Sequence, residues 1–169
     1  MQTVVPPLGA VAFGRHDHAA CIVSALAAAE ARAAARGLQF TPVRRRVLEI
    51  LLESHRAMGA YDILARLSAE GLGAQPPVAY RALSFLVDQG LAHRVERLNA
   101  FVACAHPGVA HDPAFMICRA CRKVAEAEAA PGGPFGVGAA GGFRIEQTVV
   151  EAEGLCPACQ VEAGSGTAP

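Results

Sequence analysis

Two short cysteine pairs, Cys118-Arg-Ala-Cys121 and Cys156-Pro-Ala-Cys159, are separated by 34 residues in the C-terminal half of the chain. A Cys-x-x-Cys turn lets two thiolates converge on one point, and two such turns close a tetrahedron around an ion about 2.3 Å from each sulfur. That site has no open position. It staples a domain too small to hold itself together and does no chemistry. Close-spaced thiols in a reducing compartment hold metal or cycle between redox states more often than they form lasting disulfides. No thioredoxin-like βαβ pattern surrounds either pair, so a structural zinc ion is expected at Cys118, Cys121, Cys156 and Cys159. The gap exceeds that of a compact zinc ribbon, which requires a strand and a connection between the two turns.

What surrounds the staple is bounded by length and composition. A chain of 169 residues makes one ordinary domain or two small ones that need a partner or a metal. Lys+Arg and Asp+Glu both number 15, so net charge points to no polyanion and any nucleic-acid surface must be local. The 53% hydrophobic content includes no tryptophan and only two tyrosines. It is mostly alanine, leucine and valine, which favours helices and a core. The apolar run Val23–Ala29 is broken by Ser24 and ends at Glu30, so no membrane span is expected. The N-terminus has no basic start and carries Pro6 and Pro7, which does not read as a secretory signal. A cytoplasmic protein with no membrane partner is the expectation.

Start and stop signals divide the chain. Asp17 to Arg36 reads as an alanine-rich helix ending at Gly37, and Thr41-Pro42 as the cap and first residue of the next helix. Ala60–Ala69 and a segment starting near Pro77 complete a set of three helices with apolar residues at core spacing. The first places Val43, Val47, Ile50 and Leu51 on one face, with Arg44 and Arg45 lying away from it, and the last leaves Tyr80, Arg81, Ser84 and Asp88 on its outer side. After Gly90 the period becomes alternating: LAHRVER and AFVAC flank Leu98-Asn99-Ala100, a β-hairpin. Three helices followed by a hairpin make a winged helix-turn-helix, whose last helix enters the DNA major groove. Residues 38–97 hold eight arginines against six acidic residues, only a mild positive bias.

The expected fold is therefore α+β. A helix and arm at 1–37 precede a winged-helix DNA-binding domain at 38–105. A proline- and glycine-bearing hinge at 106–113 leads to a small α/β domain with the four-cysteine zinc at 114–162, and a disordered tail follows at 163–169. Within the last domain AFMICRACRKVAEAE and FRIEQTVVEAEGLC read as strands, and PGGPFGVGAAGG between them as a flexible connection or a poorly formed helix.

Further donors straddle the hinge: His93, Cys104, His106, His111, Glu126 and Glu128. Any one of them alone reads more readily as a core or solvated residue than as a ligand. The group is different, because it straddles the hinge: His93 and Cys104 lie on the hairpin, His111 in the loop and a carboxylate on the next strand. His16-Asp17-His18 with Cys21 is a weaker cluster, more simply explained by Asp17 capping a helix.

The ordered series TPVRRRVLEIL, PPVAYRALSFLVDQGLAHRVERLNAFVAC, His111 with Cys118-x-x-Cys121, and GLCPAC resembles the ferric uptake regulator family, in its zinc uptake regulator branch. The resemblance runs from about Gln39 to Cys159. It implies a zinc-responsive repressor that binds palindromic double-stranded operator DNA as a homodimer, with 114–162 as its α/β dimerisation domain. The resemblance also implies two zinc ions per chain: a structural one at Cys118, Cys121, Cys156 and Cys159, and a sensory one at His93, Cys104, His111 and Glu126. No nucleophile–base pair stands out and neither ligand set leaves an open coordination position, so no small-molecule substrate and no enzymatic activity are expected. Tyr80 and Arg81 match the pair that meets DNA, with Ser84 on the same face and Arg44 as a phosphate contact. His106 and Glu128 are spare donors. Val78-Ala79 stands where the family has a Thr-Val pair, which removes a hydroxyl able to hold phosphate. The alternatives are an iron-responsive regulator of the same family and, from another class, a zinc-ribbon redox or chaperone-like protein.

Overall fold

The computed structural model describes Phe13 and residues 18–109, 111–128, 144 and 148–164. It divides into two compact units, one formed by residues 16–109 and the other by 1–15 with 110–169.

The unit of residues 16–109 opens with α1 (His18–Ala35) and α2 (Pro42–Leu52). The Thr41 side chain accepts the Arg44 N–H at 3.4 Å at the start of α2, and Pro42 occupies the first turn, where a missing N–H costs nothing. α3 (Ala60–Ala69) and α4 (Pro76–Asp88) follow. Val47, Ile50 and Leu51 of α2, Ile63 and Leu67 of α3, and Leu83 and Leu86 of α4 are almost wholly buried in one core. Leu26 and Ala29 of α1 join that same core, so the N-terminal helix is part of the winged-helix unit.

Strands β1 (Ala92–Val95) and β2 (Ala100–Ala103) pair antiparallel, with Ala92 opposite Ala103 and His93 opposite Val102. Their connection is longer than the expected Leu98-Asn99-Ala100. A 3-10 turn over Glu96–Leu98 is closed by Asn99 in the left-handed region, a conformation asparagine tolerates. Met58 bridges Phe101 through two hydrogen bonds of 2.9 Å, tying the segment before α3 to the wing.

Glutamates neutralise several of the arginines counted in the sequence. Arg46 pairs with Glu49, Glu53 and Glu70, Arg45 with Glu49 and Glu30, and Arg66 with Glu53. Such exposed pairs contribute about 0–1 kcal/mol each. Their larger effect is on the field, since these cations are matched before any partner arrives.

The second described unit is a three-stranded sheet, order β4-β3-β5. β3 (Pro113–Cys118) runs antiparallel to β4 (Val124–Glu128) and parallel to β5 (Val150–Gly154). The stretch expected as one strand is thus two, folded back at the first cysteine pair. Cys118 N–H donates to the Lys123 carbonyl and Arg122 N–H to the Cys118 carbonyl, both at 2.9 Å, and Arg122 takes φ 63° to make the turn. A second departure is α5 (Pro157–Gly164), which begins within the second cysteine pair and extends into the stretch expected as a disordered tail. Pro157 in a first turn followed by Ala158, Gln160 and Glu162 is the helix signal there. The glycine-rich 131–142 lies outside the described residues. So do His16 and Asp17, as do the side chains of His18, Cys21 and Glu128.

Candidate metal centres and nucleic-acid interface

The turn between β3 and β4 carries Cys118 and Cys121, and the segment from the end of β5 into α5 carries Cys156 and Cys159. The β3–β5 pairing brings the turns together: Cys118 lies opposite Gly154 and Arg119 N–H donates to the Gly154 carbonyl at 2.9 Å. All four Sγ atoms lie within 4.8 Å of one another. Cys121 Sγ and Cys156 Sγ are 3.7 Å apart, against an edge of about 3.8 Å for a tetrahedron with 2.3 Å metal–sulfur bonds. Phe13 and Leu155 pack against the cluster. Among the described residues these thiols form no disulfide. The donor set therefore fits a closed tetrahedral ion such as Zn2+.

The electrostatics of the cluster agree with this. Backbone N–H groups of Cys121 and Cys156 draw the Cys118 thiol down to about 6, the latter across a 3.4 Å N–H···S contact. Cys159 is pushed up to about 12 by the Cys156 thiol and by burial, and burial raises Cys121. One thiolate is solvated by the backbone, and its negative charge opposes ionisation of its neighbours. A divalent cation removes that repulsion and stabilises the full thiolate set.

Each unit also carries half of the other expected ligand set. On the wing, a His93 ring nitrogen and Cys104 Sγ lie within 4.8 Å of each other. Cys104 is buried, its N–H donates to the Leu91 carbonyl at 3.0 Å, and its sulfur accepts the His106 N–H at 3.3 Å. His106 thus meets Cys104 through its backbone. In the sheet unit, His111 Nε2 lies 2.6 Å from Glu126 Oε1, with side-chain exposures of 10% and 4%. Glu126 is the buried charged residue of the described core. A lone carboxylate there would cost several kcal/mol; the His111 ring offsets that cost, and both groups are ordinary zinc donors.

On α4, Tyr80, Arg81 and Ser84 are all exposed, with Ala79, Ala82, Leu83 and Phe85 turned inward. Arg81 makes no ion pair among the described residues. Arg44 departs from the expectation that it points away from the core: it is half-buried, with its guanidinium carbon 3.7 Å from the Phe85 ring centroid and a hydrogen bond to the Gln39 carbonyl. A concavity of about 520 Å³ opens between the start of α3, α4 and the wing. Tyr80 and Ser84 line it, together with Tyr61, Arg94 and Asn99, which the sequence reading did not single out. Tyr61 stands edge-on to Tyr80 at 6.5 Å between centroids. It is the chain's only other tyrosine and is 66% exposed on α3, a signal of a surface role.

A three-helix unit with a two-stranded wing, joined in one chain to a sheet stapled by four thiols, defines the class of winged-helix regulators with a metal-stabilised second domain. No model of a known protein family matches the sequence. The zinc uptake regulation protein of Escherichia coli (strain K12) is 40% identical over 142 residues, covering 82% of this chain and 83% of that protein, and the Shigella flexneri protein of the same name matches equally. Among solved structures, a zinc uptake regulator complexed with zinc and DNA aligns with a TM-score of 0.71 at 34% identity, over 88% of this chain and 99% of that one. Holo XcZur aligns with a TM-score of 0.73 at 34% identity, over 82% and 98%. The chain belongs to the ferric uptake regulator family, in its zinc uptake regulator branch.

Proposed function

We propose that this chain is a zinc-responsive transcriptional repressor, and not an enzyme, that acts in the cytoplasm as a homodimer on palindromic operator DNA and controls zinc-uptake genes. No helix among the described residues is long and apolar enough to cross a membrane, and the relatives named above are regulators of zinc uptake, one of them solved with zinc and DNA. One observation carries the reading: α4 exposes Tyr80, Arg81 and Ser84, and the His93–Cys104 pair sits on the wing that follows it, with Cys104 hydrogen-bonded to Leu91 at that helix's exit.

Two zinc ions per chain are assigned. Cys118, Cys121, Cys156 and Cys159 hold the structural ion, and His93, Cys104, His111 and Glu126 hold the regulatory one. His93 and Cys104 offer a ring nitrogen and a thiolate at the wing, and His111 and Glu126 an imidazole and a carboxylate in the sheet unit. The domains run 38–105, 106–113 and 114–162, with α1 packed onto the first. In a C2 dimer the two α4 helices reach successive major grooves about 34 Å apart. Arg81 pairs with guanine edges, Tyr80 and Ser84 line the same face, and Arg44, held against Phe85, meets phosphate. The thiolate of Cys104 favours zinc over iron or manganese, and the iron-responsive reading is not favoured by the relatives.

Metal analysis combined with a DNA-binding titration across buffered free zinc, with iron and manganese as comparisons, tests this reading. Two zinc ions per chain are expected, with only one readily removed and that one required for DNA binding. Binding that ignores free zinc, or that follows iron instead, refutes it.

A further inference from the structure

The C-terminus of α4 is held by α1. Arg32 Nε donates to the Gln89 carbonyl at 2.8 Å, and Arg36 Nη1 donates to Gln89 Oε1, also at 2.8 Å. Gln89 is the C-cap of α4, where carbonyls are left without helical partners and a cation interacts favourably with the helix dipole. The two arginines differ in what else they meet. Arg36 is exposed, whereas Arg32 is half-buried and its guanidinium lies over two glycines in the left-handed region. A Cβ placed on Gly90 would be 4.0 Å from Arg32 Nη2, and one on Gly108 would be 3.2 Å from Nη1. Gly90 is the stop of α4. Gly108 belongs to the loop that leads from Cys104 toward His111.

One planar cation therefore bonds the end of the DNA-facing helix and lies beside the loop between two of the regulatory ligands. Leu91 completes the junction, its N–H donating to Leu86 of α4 at 2.8 Å and its carbonyl accepting the Cys104 N–H. We propose that Arg32 is a positioning residue that couples the metal-bearing loop to the α4 C-terminus, so that ordering of the loop fixes the pitch of α4. The guanidinium suits this role because it is rigid and donates in several directions at once, which a lysine ammonium on a flexible stem does not reproduce. The inference rests on the zinc-dependent DNA binding proposed above.

The test compares Arg32→Ala, Arg32→Lys and Arg36→Ala with the parent. The probe is a palindromic duplex enriched by the zinc-loaded parent from a random-sequence library. The readout is the ratio of DNA affinity with the regulatory site loaded to that with it empty, together with zinc stoichiometry and thermal midpoint. Both Arg32 variants should keep two zinc ions per chain and lower the ratio by about tenfold, within the usual range of allosteric coupling. Arg36→Ala should leave it within about twofold. Alanine is the better helix former and Leu26, Ala29 and Ala33 still anchor α1, so Arg32→Ala is expected to fold; if it does not, Arg32→Lys decides. An unchanged ratio, or an equal fall in Arg36→Ala, overturns the proposal. A parent without zinc-dependent binding refutes the underlying function instead.

Discussion

Arg122 holds φ 63° in the turn that presents Cys118 and Cys121. For an L-residue the left-handed region costs about 1–2 kcal/mol, and such strain persists only where the surroundings impose it. Here the imposition comes from the turn's own hydrogen bonds, Arg122 N–H to the Cys118 carbonyl and Cys118 N–H to the Lys123 carbonyl. The side chain itself is exposed and forms no ion pair among the described residues. Arg122→Gly removes the strain but adds about 0.4–1 kcal/mol of unfolded-state entropy. The net gain is about 0.5–1 kcal/mol, a rise in thermal midpoint of roughly 2–8 °C for a unit of this size. Asparagine tolerates the conformation and should fall between glycine and arginine, whereas β-branched valine should fall below arginine. The assay is denaturant unfolding of the zinc-loaded protein, with released zinc read by a chromophoric chelator. The order Gly, Asn, Arg, Val is the expected signature. A valine variant as stable as arginine, or a glycine variant less stable, refutes the argument that backbone strain sits at this turn.

Three further substitutions probe other parts of the molecule. Cys104→Ser should leave a folded dimer with one zinc ion per chain and no zinc-stimulated DNA binding; metal analysis with an anisotropy titration checks it, and two retained zinc ions would remove Cys104 from the regulatory set. Arg81→Ala should weaken binding by about 1–3 kcal/mol and relax preference at one base position while leaving the melting temperature unchanged, read by titration against a panel of single-base variants. Gly73→Ala combines φ +138° with a Cβ that would lie 2.9 Å from Val78 Cγ1. It should cost about 1–3 kcal/mol of stability in denaturant unfolding, and a neutral result would show that the loop entering α4 yields freely.

What could be read from the sequence was what local chemistry decides. Thr41-Pro42 and the apolar spacing of α2, α3 and α4 carry their own signals, and those helices stand where the residues place them. The cysteine pairs were legible because the ligand geometry is fixed within each four-residue turn, and the 3.7 Å Cys121–Cys156 separation follows once a strand brings the turns together. The missed features depend on partners remote in sequence. β3 and β4 read as one strand because the reversal between them is made by an arginine in the left-handed region, without a turn-forming glycine. Glu126 could be matched by resemblance, but its burial against His111 depends on the β3–β4 register, in which it stands opposite Phe115. Arg44 reads as lying away from the core face because Phe85, the ring beneath it, lies 41 residues later. Arg32 is the extreme case. Nothing about an arginine in an alanine-rich helix announces a partner 57 residues away, and the contact shows itself only once the C-cap of α4 at Gln89 and the Gly108 loop are folded beside it.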